Sequence, residues 1–351
     1  MKKMSLKIGG AALSCLLLTG PALAEGPEDR GETNIREEAT EGNHLTLFSG
    51  EKAITLWGSV EFNGGYTTTD NDDDESGFEV DATLGFDAAL TKDIAATVIL
   101  LHEDDGTPID TDEAYITYTT STKLIVSGGK MYLPFGNFNS SMISDPLTLD
   151  LGETNKTALQ TSWANNLLEV KLGLFNGDRD ISGDYDLIDN LVASIQITPV
   201  ETITVGFSYI CDLAETNLGL INNITASYDD NVRAFSAFVS AELGPVTLDA
   251  EYVGALDDFS ASTMVDPDRA EELTGAQPAA YFIEVGVSPM EKVSVAIRAE
   301  AGIDFADDLK RFGGTVSYEL AEETTVSAEY LYTDLDGDAA HSISAQLAVE
   351  F

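Results

Sequence analysis

The chain has 351 residues, 18 basic and 61 acidic, for a formal charge of −43 at pH 7, with 43% hydrophobic residues. Such acidity excludes nucleic-acid binding, because phosphate attraction needs a basic surface. The hydrophobic share, recurring with period two, argues against disorder.

The first 24 residues read as a secretory signal peptide. Lys2, Lys3 and Lys7 precede an apolar stretch, Ile8 to Leu18, and Pro21-Ala22-Leu23-Ala24 supplies an Ala-x-Ala cleavage pattern before Glu25. Removing the three lysines takes the formal charge from −43 to −46. Cys15 lies inside that stretch behind a poor lipobox, so Cys211 is the only mature cysteine and no intramolecular disulfide is expected. Residues 25–52 read as a short periplasmic segment, in which Gly26, Pro27, Gly31, Gly42 and Gly50 break any heptad.

No later run of about 18 apolar residues exists, so no spanning helix is expected. A closed barrel is the other way across a bilayer, because lipid offers no partner to free backbone groups. From residue 53 onward, short turns alternate with longer acidic loops. The short turns are 91–93, 120–123, 165–166, 198–201, 244–245, 289–292 and 321–324. The acids cluster between them, at 70–75, 103–113, 178–189, 257–272 and 304–308. Short periplasmic turns and long outer loops are the habit of outer-membrane barrels. Seven short turns with both termini inside imply 16 strands. They are expected over 53–66, 78–90, 94–103, 113–120, 123–132, 156–164, 167–175, 188–197, 202–211, 232–243, 246–257, 279–288, 293–303, 310–320, 325–334 and 341–351. Ile224 to Tyr228 could be a further strand and raise the count to 18; it is read here as outer loop. The expected fold is all-β: a transmembrane, antiparallel, up-and-down barrel over 53–351 in the bacterial outer membrane. The last strand closes on Phe351, which resembles the signal that barrel insertion machinery reads.

Alternation assigns faces. Val293, Val295, Ile297, Ala299 and Ala301 should meet lipid, with lipopolysaccharide beside the outer rim. Glu61, Asp81, Glu169, Lys171, Asp249, Glu251, Arg298, Glu300, Arg311 and Glu329 should point into the lumen. A polar interior at this strand number leaves a water-filled channel.

The segment Gly128 to Thr154 differs from the acidic loops. It carries Pro134, Pro146, three aromatics and small hydroxyl residues, and it falls at the third outer loop. Long loops without structure of their own are usually functional. Folded inward, it would present Lys130, Asn137, Asn139, Ser140, Ser141 and Asp145 at the narrowest point.

Its runs Gly-Lys-Met-Tyr-Leu-Pro-Phe-Gly-Asn-Phe, Met-Ile-Ser-Asp-Pro-Leu-Thr and Leu-Gly-Glu-Thr resemble the signature of the LbtU-type siderophore porin family. Leu174 to Asp178 and Asp249 to Ala255 are similar to further family segments, so the likeness spans most of 50–351. The resemblance implies a barrel that admits ferric siderophore without the plug of energised receptors. The glycine-broken 25–52 departs from the helical amino-terminal segment common in that family.

Other chemistries fit less well. A TonB-dependent receptor needs about 22 strands and a plug. His44, His102 and His341, the only histidines, lie near no nucleophile motif, so no enzyme is expected. A phosphate-selective pore would want the opposite field. Asp178, Asp180, Ser182, Asp186 and Asp189 hold EF-hand-like positions with Gly183 at the sixth. Flanking helices are absent, however, and loose bridging of acidic outer loops by Ca²⁺ or Mg²⁺ is the simpler expectation, with no resident cofactor. The remaining readings are a cation-preferring general diffusion porin and a non-conducting structural or adhesive barrel. Small solutes would be the partners of the former, and a homotrimer is compatible with either.

Overall fold

The computed structural model describes residues 36–39, 45–49, 52–70, 74–104, 106–178, 180–181, 188–220, 227–228, 230–260, 275–304, 309–335 and 338–351. The expected signal peptide lies outside them. Sixteen antiparallel strands form the wall. They are β1 (Lys52–Thr69), β2 (Glu75–Ala89), β3 (Ile94–His102), β4 (Asp110–Thr119), β5 (Ile125–Tyr132) and β6 (Asn155–Ala164). Then come β7 (Leu168–Phe175), β8 (Asn190–Val200), β9 (Ile203–Ile210), β10 (Ala234–Leu243) and β11 (Val246–Ala255). The last five are β12 (Ala279–Met290), β13 (Val293–Ile303), β14 (Lys310–Ala321), β15 (Thr324–Leu335) and β16 (Asp338–Glu350).

Each strand pairs with its sequence neighbours, and β16 returns to β1 in a register running from Ala340↔Thr69 to Glu350↔Ser59. That pairing closes the barrel and removes both sheet edges. The closure ends on the carboxyl-terminal residue: Gly58 N–H donates to Phe351 O at 2.8 Å, and Phe351 N–H to Gly58 O at 3.0 Å. Below this point β1 gains a different neighbour. Leu45–Ser49 pairs antiparallel with residues 52–56, and Arg36–Ala39 pairs with Leu45–Ser49. The segment before the barrel thus extends the sheet past the end of β16.

Period-two sequence produces two-faced strands. On β16, Ile343, Leu347 and Val349 are exposed on the outside, whereas Ser342 and Ser344 are buried on the inside. The register carries this alternation across seams, as in Glu61↔Asp81, Asp249↔Glu284 and Glu284↔Arg298, and shifts only locally, as between Val287 and Met290 on β12 and between Ile99 and Leu100 on β3. The short turns use the left-handed region where needed, at Gly244 (φ 69°), Lys123 (φ 62°) and Glu323 (φ 56°).

Tyr228, the end of the candidate extra strand, does not join the wall. Ser227–Tyr228 pairs in parallel with Asp180–Ile181, a bridge between two outer loops. Among the described residues no helix is long and apolar enough to cross a membrane.

One feature departs from a uniformly polar interior. The outer half of the lumen beside β5–β12 holds an apolar core. Leu133, Phe135, Leu147 and Leu151 of the third outer loop pack there with Leu213, Ala214 and Leu220 of the fifth. Phe259, Ala276 and Leu309 of later loops join them against Phe175, Val192, Ile210 and Val253 of the wall. The wall residues in this core sit at or near the outer strand ends, at positions the alternation turns inward.

Candidate functional site: a loop latched across the lumen

The third outer loop, residues 133–154, leaves β5 and crosses to the far wall. Its one helix, α1 (Leu147–Gly152), buries Leu147, Thr148, Leu151 and Gly152. Gly136, at φ 87°, turns the chain where an added Cβ would lie 2.1 Å from the Phe138 ring.

Inward-facing glutamates of four strands hold this loop by its backbone. Glu251 on β11 accepts the N–H groups of Asn137 and Phe138, both at 2.8 Å, and the hydroxyls of Ser236 at 2.8 Å and Thr148 at 3.3 Å. Glu284 on β12 accepts from Ser141 N–H at 2.6 Å and Ser140 Oγ at 2.7 Å. Glu300 on β13 accepts from Leu147 N–H at 2.8 Å. Glu329 on β15 accepts from Ile143 N–H at 2.6 Å and Ser144 N–H at 3.2 Å. A loop cannot satisfy its own N–H groups as a helix does, so carboxylates that accept them in pairs replace a missing ladder.

Arg298 completes the latch. Its fully buried guanidinium donates to Ser140 Oγ at 2.7 Å, Ser144 Oγ at 2.9 Å and the Asp145 carbonyl at 3.1 Å. It also pairs with Glu284 at 3.7 Å and Glu300 at 3.4 Å. Arg311 reaches Asp150 at 3.6 Å and Glu300 at 3.9 Å. Both arginines therefore serve the latch. At the loop's end, Glu153 accepts from Asn217 Nδ2 at 2.8 Å, which ties the third loop to the fifth. Burial, aided by the nearby Asp112, Asp150 and Glu103 carboxylates, pushes the Glu153 carboxyl up to about 7.

The residues expected at the narrowest point divide. Asn139 and Ser141 are exposed toward the lumen, and Asn139 Nδ2 donates to Ser240 Oγ at 3.3 Å. Ser140 joins the latch through its hydroxyl, and Asn137 and Asp145 join it through backbone groups. Lys130 is a correction. It pairs in register with Ala114, on the face that carries the exposed Ile116 and Tyr118, so it lies on the outside of the wall. There its Nζ donates to the Thr111 carbonyl at 2.6 Å. The expectation followed its place beside the loop; the strand's parity decides against it.

The lumen charges are all at inward register positions, but they differ in company. Glu169 pairs with Lys171 at 3.1 Å, and Asp249 accepts from Ser240 Oγ at 2.5 Å. Lys156, another inward cation, is held by Asp178 and by the buried Glu215, at 3.1 Å from the latter. Opposite the loop, the inward faces of β16 and β1–β5 carry Glu61, Glu79, Asp81, Asp87, Glu113 and Glu350 and neither Lys nor Arg. There Trp57 Nε1 and Thr97 Oγ1 donate to Asp87 at 2.7 and 2.6 Å. Of the EF-hand-like stretch, Ser182 and Asp186 lie outside the described residues. Asp178 is paired with Lys156, and no group of three or more His, Cys, Asp or Glu fit to hold a metal occurs among the described residues.

A family model described as Gram-negative porin matches residues 10–338. The chain belongs to the Gram-negative porin family. It is thus a porin-like channel integral to the outer membrane. A UPF0422 protein of Coxiella burnetii is 26% identical over 203 residues, 51% of this porin and 40% of that relative, so the match spans less than half of the relative's length. Among solved structures, the DcaP outer membrane channel of Acinetobacter baumannii superposes with a TM-score of 0.61 at 13% identity, over 86% of this porin and 97% of DcaP. An anion-selective porin from Comamonas acidovorans gives the same TM-score at 9% identity, over 86% of this porin and all of that chain. These likenesses are of fold; selectivity is a matter of each lumen's own charges.

Proposed function

We propose that this porin is a cation-preferring diffusion channel whose open path runs along the wall formed by β16 and β1–β5. The observation that carries this reading is the segregation of charge. Each inward-facing Lys or Arg described above already pairs with a carboxylate, and all four lie on β6–β14. The wall facing the loop carries carboxylates and no Lys or Arg. A low-dielectric wall of one sign concentrates counter-ions and repels co-ions. In a KCl gradient the reversal potential should show K⁺ favoured over Cl⁻, most clearly at low salt, where the screening length is long. Preference for Cl⁻ at low salt would overturn the reading.

The ferric-siderophore uptake implied by the sequence resemblance fits this lumen under one condition. The complex must be neutral or positive overall, as when three hydroxamates neutralise Fe³⁺ and an ammonium remains, because a polyanionic complex would meet carboxylates along the path. Asn139 and Ser141, exposed at the loop, would supply hydrogen bonds. Reduction of the K⁺ current by ferric hydroxamate complexes but not by ferric catecholates tests this; reduction by both or neither removes it. Homotrimeric assembly is part of the same proposal, resting on family membership, and chemical cross-linking in outer-membrane preparations reads it.

A further inference from the structure

The inner face of the β16–β1–β2 seam carries two carboxylates in direct opposition. Glu61 and Asp81 are register partners on neighbouring strands, which places their Cβ atoms roughly 4.5–5.5 Å apart. Like charges so placed repel. Among the described residues neither carboxylate forms an ion pair. Glu61 accepts from Gln346 Nε2 at 3.0 Å, and Asp81 accepts from Asn63 Nδ2 at 3.0 Å and Asp104 N–H at 3.4 Å. None of these donors brings a positive charge.

A second observation lies beside them. Asn63, two residues along β1 and on the same inward face, is only 7% exposed, and its Oδ1 is buried with no hydrogen-bond partner. A buried amide oxygen without a donor costs about 1–3 kcal/mol. Its Nδ2 donates to Asp81, so the amide sits against that carboxylate. The site therefore offers two carboxylates and an orphaned carbonyl-type oxygen, all hard ligands, and has neither Lys nor Arg beside it.

We propose that Glu61, Asp81 and Asn63 Oδ1 form a weak binding site for a divalent cation, Ca²⁺ or Mg²⁺, on the permeation wall. The ion would relieve the carboxylate repulsion and satisfy the amide oxygen, with lumen water completing a shell of about 6–8 oxygens for Ca²⁺. The site is distinct from the acidic outer loops and sits where a bound ion would obstruct or repel the K⁺ stream.

The test uses the full-length folded channel in a planar bilayer. Currents are recorded in KCl with chelator and then with millimolar Ca²⁺. Ca²⁺ should lower the single-channel conductance of the native protein. Glu61→Gln combined with Asp81→Asn should abolish that effect. Asn63→Leu, which keeps the bulk and removes both the oxygen and the Nδ2 donor to Asp81, should shift half-block to higher Ca²⁺. Isothermal titration of the same proteins should show one class of Ca²⁺ site lost in the double variant. Equal loss of conductance in native and double-variant channels would assign the effect to the outer loops and overturn the site. No Ca²⁺ effect on the native channel would overturn it equally. Cation preference is read separately from the metal-free recordings, so failure of the site and failure of the proposed selectivity are distinguishable.

Discussion

Releasing the third loop should widen the channel, and the latch geometry says by how much the docked state depends on single carboxylates. Glu251→Ala removes the acceptor for the Asn137 and Phe138 N–H groups. A fully buried donor left unpaired costs about 1–3 kcal/mol, and these two are half-buried, so the docked loop loses at most about 2–6 kcal/mol. At a factor of ten per ~1.4 kcal/mol, the ratio of docked to released loop falls by at most about one to four orders of magnitude. Glu284, Glu300 and Glu329 still hold the loop farther along. The single variant should therefore show a native conductance level interrupted by excursions to a larger one. Adding Glu329→Ala frees the Ile143 and Ser144 N–H groups as well and should make the larger level dominant. The Arg298 pairs with Glu284 and Glu300 are left intact, so the wall itself is not disturbed. Heat-modifiable migration on a detergent gel would verify that the barrel has folded. A double variant that folds and conducts like the native channel would refute the reasoning and place the loop outside the conducting path.

Three further outcomes follow from other parts of the molecule. Glu153, with its carboxyl raised to about 7, opposes its own buried position once ionised; the unfolded chain would hold fewer protons than the folded one between about pH 4.5 and 7. The tie between the third and fifth loops should thus weaken as pH rises through that window, seen as faster amide exchange at Asn217, and Glu153→Gln should flatten the dependence. Gly129 has φ 146°, and an added Cβ would lie 2.2 Å from the Ala114 carbonyl oxygen and 2.5 Å from Tyr115 Cα. Because both obstacles are backbone, Gly129→Ala should abolish the heat-modifiable folded band, and a normal yield would contradict the close β4–β5 approach. For topology, with Cys211 replaced, a cysteine at Asp104 should react with an impermeant thiol reagent on intact cells and one at Met290 should not; the reverse pattern would invert the hairpin order.

Much of the wall was legible because its determinants are local. The period-two faces of β13 and β11, Pro289 to Lys292 as a short turn, and the acidic loops are each contained in about a dozen residues. Ends moved by a few positions, as where β1 runs to Thr69 and not to 66, since pairing with Thr67↔Glu75 on β2 prolongs it into the loop. The latch was half legible. The parity of Glu251, Glu300 and Glu329 could be read, but their partners could not, because Glu329 meets Ile143 across 186 positions. The misplaced Lys130 shows the converse: strand parity was available and should outrank nearness to a loop. The apolar core left a signal that polar-lumen reasoning passed over. Phe175, Val192, Ile210 and Val253 break the alternation by placing bulky apolar groups at inward positions near the outer strand ends.

That break in alternation bears on transport as much as on folding. An apolar, close-packed mass excludes water and ions, so on the proposed reading the outer lumen beside β5–β12 should carry no current. The arginines beneath it are paired with Glu284, Glu300 and Asp150, while Glu251 and Glu329 are held by neutral donors and keep their charge behind the loop. What a solute meets is then set by the remaining arc, where Trp57, Glu61, Asp81, Asp87 and Glu113 face inward without a basic neighbour on the same wall. Neutralising Glu61, Asp81, Asp87 and Glu113 together should therefore erase most of the cation preference. Neutralising Glu251 and Glu329 should change chiefly the width of the pore. Measured in the same bilayer, reversal potential and conductance separate these effects. If the latch variants moved the reversal potential more than the arc variants did, the current would have to run through the side assigned here to the dry core.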